Sequence, residues 1–165
     1  MKKKIIIIVS IFICILTGCQ LSNNPTSKVE ELLGKYQMLD KDISISHLNL
    51  SNDNSIDTSL QERYEKLIKN QYKNLTYEIK EEKIDGDSAT VTVQIEVLDY
   101  KSVLEKYEKT DYSTQEYHKK ILDELEKVKD KITYTIDFVV TKDKKGDWNT
   151  EPLGEKEREK LLGIN

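Results

Sequence analysis

The sequence predicts an α+β fold in which N-terminal helices pack on a curved antiparallel sheet of about four strands, with a helical insertion between two hairpins. Three observations carry this. Apolar residues recur at helical spacing through 27–39 and again through 59–75. From Tyr77 the period falls to two, and the same alternation returns after residue 131. Helices first, then strands with one apolar face, is the order of a domain whose helices cover one side of an antiparallel sheet.

The first helix is expected at Ser27, where Ser27 and Glu30 have the spacing of a capping box, and its inner face is Val29, Leu32, Leu33, Tyr36 and Leu39. A second box, Ser59 with Glu62, opens a helix carrying Leu60, Tyr64, Leu67, Ile68, Tyr72 and Leu75 inward. The segment 40–58 between them is rich in Asn, Asp and Ser and reads mostly as loop, with Ile43, Ile45, Leu48 and Leu50 packing down. Tyr77 and Ile79 begin a strand that turns at Asp85, Gly86 and Asp87. Ala89, Val91, Val93, Ile95 and Val97 then alternate with Thr90, Thr92, Gln94 and Glu96, giving one buried and one wet face. Tyr100, Val103, Leu104 and Tyr107 suggest a short helix. A third box, Ser113 with Glu116, starts another whose inner residues are Ile121, Leu122, Leu125 and Val128. Tyr134, Ile136, Phe138 and Val140 form a third strand, a turn runs through 143–147, and a fourth strand surrounds Trp148. Residues 155–162, with Gly163 as C-cap, read as a last helical turn or two covering a sheet edge.

Ahead of this body lies an export signal. Lys2, Lys3 and Lys4 form a basic start, and residues 5–16 are twelve almost uniformly apolar positions. A membrane-spanning helix needs roughly 20 such residues, so the stretch reads as a signal peptide, 1–18. It closes on Leu16, Thr17, Gly18 and Cys19, which resemble the lipobox of bacterial lipoproteins. The resemblance implies cleavage between Gly18 and Cys19 and a diacylglyceryl group on the Cys19 thiol. Each buried methylene contributes about 0.8 kcal/mol, so two acyl chains hold a protein at a bilayer without a polybasic patch. The expected location is the outer face of the cell membrane, with 19–26 as lipidated N-terminus and short tether, and 27–165 as a single domain. The seven residues 20–26 reach at most about 25 Å.

Charge and cysteine content narrow the classes further. Without residues 1–18 the balance is 23 basic to 30 acidic side chains, which argues against nucleic acid as a partner and against docking on anionic head groups by net charge. Lys and Glu interleave in 78–83 and 124–131, the pattern of a solvated surface. Cys14 leaves with the signal and Cys19 carries lipid, so stability rests on the apolar core and not on disulfides. At 147 residues the mature chain is long enough for one such core.

Catalytic and metal signatures are sparse. His47 and His118 have no sequence-adjacent partner and read as surface or helix-face histidines, and no spacing fits a zinc site. Asp53, Asn54 and Asp57 superficially suggest a calcium loop, but Thr58 stands where glycine is needed and Tyr64 where the bidentate glutamate belongs. Asp85 and Asp87 flank Gly86 for turn reasons. No phosphate-binding glycine loop and no nucleophile elbow occur, so neither a metal nor another cofactor is expected. Tyrosine stands out, with nine against one Phe and one Trp after residue 18. Tyr100, Tyr107, Tyr112 and Tyr117 cluster in sequence; a phenol pairs an apolar body with a polar tip, so they fit amphipathic packing of half-buried helix faces first and are otherwise a candidate recognition surface, with Tyr112 the one placed for exposure.

Through SKVEELLGKYQML at 27–39, LTYEIKEEKIDGDSATVTVQIEV at 75–97 and the ending Gly146, Asp147, Trp148, the chain resembles the small lipoproteins of Gram-positive bacteria with an NTF2-like (cystatin-like) roll. That resemblance implies a cone between helices and sheet that is either filled or holds a small ligand, in a family of both binders and enzymes. Three functions follow as expectations. The first is a non-enzymatic lipid-anchored binding or accessory protein for a peptide, envelope protein or small ligand. The second is an isomerase or dehydratase using an acid or histidine from the helices. The third is a structural envelope lipoprotein.

Overall fold

The computed structural model describes residues 23–39, 57–107 and 114–165. Helix α1 spans Pro25–Met38 and α2 Thr58–Asn74; strands β1, Thr76–Asp85, and β2, Ser88–Leu98, follow as a hairpin. Helices α3, Lys101–Tyr107, and α4, Thr114–Leu125, are inserted before β3, Lys131–Lys142, and β4, Trp148–Thr150. Helix α5, Glu155–Leu162, ends the chain. The fold is α+β, with the sheet antiparallel, open and ordered β1-β2-β3-β4. The long α3–α4 insertion therefore leaves the strands as a plain meander.

Two helix starts fall ahead of the capping boxes. Helix α1 begins at Pro25, where a missing N–H costs nothing, and its cap is Asn24, whose Oδ1 accepts the Ser27 N–H at 2.8 Å. Helix α2 is capped by Asp57, whose Oδ1 accepts from Leu60 N at 2.9 Å, so Ser59 lies inside the helix. Both S-x-x-E patterns sit two or three residues past a better cap. The proposed cap Ser113 lies outside the described residues, as does most of the predicted loop 40–58. Part of the predicted tether belongs to the folded body: Asn23 donates to Asp147 Oδ1 at 2.9 Å and accepts from Trp148 N at 2.9 Å.

The strands follow the alternation, with one exception. Ala89, Val91, Val93, Ile95 and Val97 are all buried, and Ile136, Phe138 and Val140 lie beside them on β3. The turn between β1 and β2 is the two residues Gly86 and Asp87, with Gly86 at φ 61° in its first position, where a side chain would be strained. In β1 the register shifts between Ile79 and Glu81, a bulge that turns Glu82 onto the inner side opposite Val91. Glu82 there accepts the Thr26 N–H at 3.0 Å and the Thr26 hydroxyl at 2.6 Å, satisfying an amide at the start of α1 where a negative charge is favoured.

The core has two parts. Helices α1 and α5 and the C-terminal half of α2 cover the inner face of the sheet, around Leu33, Ile95, Phe138 and Leu161. The N-terminal half of α2, with α3 and α4, encloses Leu60, Tyr64, Tyr100, Val103, Ile121, Leu122 and Leu125 beyond the end of β2. Contrary to the sequence expectation, α5 does not cover an edge: it packs on β2, β3 and α2, since the central strands carry the apolar face that its Leu161 and Leu162 bury against.

Gln71 joins the two parts. It is 0% exposed, its Nε2 donates to Leu98 O at 2.8 Å and Leu162 O at 2.7 Å, and its Oε1 accepts from Leu98 N at 2.9 Å. Beside it Gly163, at φ 70°, approaches so closely that a Cβ would collide with the Leu98 carbonyl and Gln71 Nε2. Its own carbonyl accepts from Lys101 N at 2.7 Å, which seats α3.

Candidate functional site: an apolar pocket among the helices

The spacing of α2 puts Tyr64, Leu67 and Ile68 on one face, and that of α4 puts Tyr117, His118, Ile121 and Leu125 on another. With Tyr100 just ahead of α3, Leu104 of α3, Leu162 of α5 and Ile164, they line a pocket of about 110 Å³. Leu104, Tyr117 and Ile164 are only half-buried and form its rim. The pocket lies beyond the Leu98 end of β2, not on the inner face of the sheet.

Arg63 fixes the distance between the two long walls. Its Nε and Nη2 donate to the two oxygens of Glu126 at 2.8 Å each, and Nη2 also donates to Asp123 Oδ1 at 2.8 Å. A planar guanidinium making a two-point contact with a carboxylate sets orientation as well as separation.

Two polar side chains of the wall bond each other. Tyr64 Oη lies 2.8 Å from His118 Nδ1, and the rings meet edge-on at 5.7 Å and 83°. With Nδ1 unprotonated, the phenol donates. Tyr117 also meets the imidazole edge-on, at 5.4 Å and 79°, so His118, 8% exposed, contacts two phenol rings. Burial pushes the Tyr64 hydroxyl up to about 12; nearby Tyr117 adds to this and the Arg63 charge opposes it. Burial raises Tyr100 likewise, and its hydroxyl donates to Leu67 O at 3.4 Å. Among the described residues no buried side-chain nitrogen or oxygen lacks a partner.

Of the tyrosines singled out by sequence, Tyr100 is 4% exposed and lines the pocket, Tyr117 stands at its rim, and Tyr107 packs half-buried against the same cluster. Tyr112 lies outside the described residues, as do Gly18, Cys19, His47, Asp53 and Asn54. Tyr64 and His118 are the wall residues that the sequence did not single out as a pair. His118 precedes Ile121, Leu122 and Leu125 by three, four and seven positions, the inward stripe of α4, and that spacing is the signal that places it inside and not at a surface.

A second hollow, about 390 Å³, is lined by Asp57, Ser59, Leu60, Arg63, Gln115, Glu116 and Lys119. Its mixed charges suit solvent better than an apolar ligand. Among the described residues no group of three or more His, Cys, Asp or Glu is placed to hold a metal, and no helix is long and apolar enough to cross a membrane.

No family model matches the chain, and no curated protein or solved structure shows significant similarity to it. The fold and the pocket therefore define an α+β domain with an apolar site among its inserted helices.

Proposed function

We propose that this chain is a lipid-anchored extracytoplasmic binding protein that takes one small apolar group into the Tyr64–His118 pocket. The group is a ring or branched side chain of a peptide, envelope protein or small molecule. The observation that carries the binding reading is the pocket itself: about 110 Å³, walled by Leu67, Ile68, Leu104, Ile121, Leu125 and Leu162, with Tyr64 Oη and His118 Nδ1 as paired polar groups. An engineered apolar cavity of about 150 Å³ holds benzene, which sets the scale of the ligand group. Binding sites of this kind are mostly apolar with few placed polar atoms. The lipobox ending in Cys19 supports the anchor, and a four-stranded meander covered on one face by α1, α2 and α5 supports an NTF2-like roll.

Methyl NMR of the protein titrated with toluene and with p-cresol tests the binding reading. Saturable shifts at Ile121, Leu125 and Leu104 support it. Linear, non-saturating shifts with both probes defeat it.

One observation favours a second, enzymatic reading as an isomerase or dehydratase. A phenol bonded to a buried imidazole at 2.8 Å beside an apolar pocket has the parts of a proton relay. Exchange of the α-protons of cyclohexanone in D₂O, lost in His118→Leu, supports this reading; exchange at the uncatalysed rate removes it.

A further inference from the structure

We infer that the anchor seats the turn end of the sheet on the bilayer and holds the Tyr64–His118 pocket at the far end, so that its ligand arrives from the aqueous phase and not from the lipid. The inference rests on the lipid-anchor reading of Cys19, and adds to it a direction. Asn23 is tied to Asp147 and Trp148 at the β3–β4 turn, and Thr26 to Glu82. Only residues 20–22 separate Cys19 from Asn23, so the Cys19 Cα lies at most about 14 Å from the Cα of Asn23, the residue tied to that turn. A tether that short attaches the bilayer to this end of the body.

The register fixes what lies at the other end. Thr141 pairs with Ser88 at the turn end of β2, while Leu98 pairs with Lys131 at the opposite end. Ten strand steps separate Ser88 from Leu98, about 33 Å. Tyr100 and the other pocket residues lie beyond Leu98.

Composition at the turn end is independent support. Around the two turns Lys142, Lys144 and Lys145 offset three of the four carboxylates Asp85, Asp87, Asp143 and Asp147, and Lys83 is paired with Glu81 at 2.9 Å, so this end carries a net charge of about −1 within a more acidic chain and meets head groups with little repulsion. Ile84, 56% exposed, lies at the β1–β2 hairpin and Val139, 44% exposed, pairs with Thr90 near the same end. They are two of the three large hydrophobic residues exposed among the described residues, the third being Met38 on α1.

The test uses the full chain, lipidated in a bacterial host and reconstituted in phosphatidylcholine–phosphatidylglycerol vesicles. Cys14 leaves with the signal and Cys19 carries lipid, so Lys144→Cys or Lys119→Cys introduces one free thiol for a fluorophore. Lys144 is exposed in the β3–β4 turn, and Lys119 is exposed on α4 beside the pocket. A nitroxide on the lipid head group should quench the label at 144 roughly fivefold more strongly than at 119, given about 33 Å of strand between the ends. Equal or reversed quenching on vesicles that carry the protein overturns the orientation and leaves the anchor standing. A chain that does not float with the vesicles defeats the anchor and the orientation with it.

Discussion

Replacing Gln71 with methionine separates the two parts of the core with little change in volume. The side chain is wholly buried and makes three hydrogen bonds, at 2.7, 2.8 and 2.9 Å. Leu98 O keeps a bond from Tyr100 N at 3.0 Å, but Leu98 N and Leu162 O lose the partner that Gln71 supplies. A buried backbone group left unsatisfied costs about 1–3 kcal/mol, so two cost about 2–6, offset in part by the apolar methionine. The net expectation is about 3 kcal/mol, a large share of a total stability of about 5–15 kcal/mol. Urea unfolding followed by circular dichroism measures it, with the slope checked for two-state behaviour. A Gln71→Met protein within about 0.5 kcal/mol of the original would refute the claim that this residue holds β2, α5 and the pocket end together.

Gly163→Ala should cost about 2 kcal/mol or more, because it combines a positive φ with a collision against Leu98 O; a thermal melt unchanged within error contradicts this. Tyr64→Phe removes the partner of His118 Nδ1 and should cost about 1–2 kcal/mol in urea while weakening p-cresol more than toluene, and equal loss for both probes would count against a polar role in the pocket. Stability should fall as pH rises from 10 towards 12, since the unfolded chain ionises its tyrosines near 10 while folded Tyr64 keeps its proton to about 12, with Tyr72 and Tyr36 also raised by burial. Unfolding free energies measured at pH 9, 10, 11 and 12 check this: a flat profile contradicts it, and Tyr64→Phe should shallow the slope. Cys19→Ala, followed by fractionation of cells, should leave the protein out of the washed membrane pellet, and retention there after export contradicts the anchor.

Much of the architecture was legible because burial repeats with the period of the element. The inward residues of β2 and of α2 were read directly, as were the turn at Gly86 and the cap at Gly163. What escaped depended on partners distant in sequence. Asn24 and Asp57 outcompete Ser27 and Ser59 as caps because Pro25 fixes the first turn of α1 and Asp57 reaches Leu60 N. The bulge in β1 answers to Thr26, 56 positions from Glu82. Periodicity placed Gln71 and His118 on helices that pack inward but named no partner for either, since an inward polar residue declares its bond only when the facing element is known. For the same reason the tyrosine-rich stretch left packing and a recognition surface both open, and only the folded chain shows Tyr100 buried and lining the same pocket as Tyr64 and His118.

The measurement that bears most directly on a binding function is photocrosslinking in living cells, with a benzophenone side chain in place of Leu104 at the pocket rim of the lipidated protein. A discrete adduct that disappears when Ile121→Trp fills the pocket is the predicted result. No adduct, or one that persists at full strength with the pocket filled, would contradict the claim that this protein works by taking an apolar group between α2, α3 and α4.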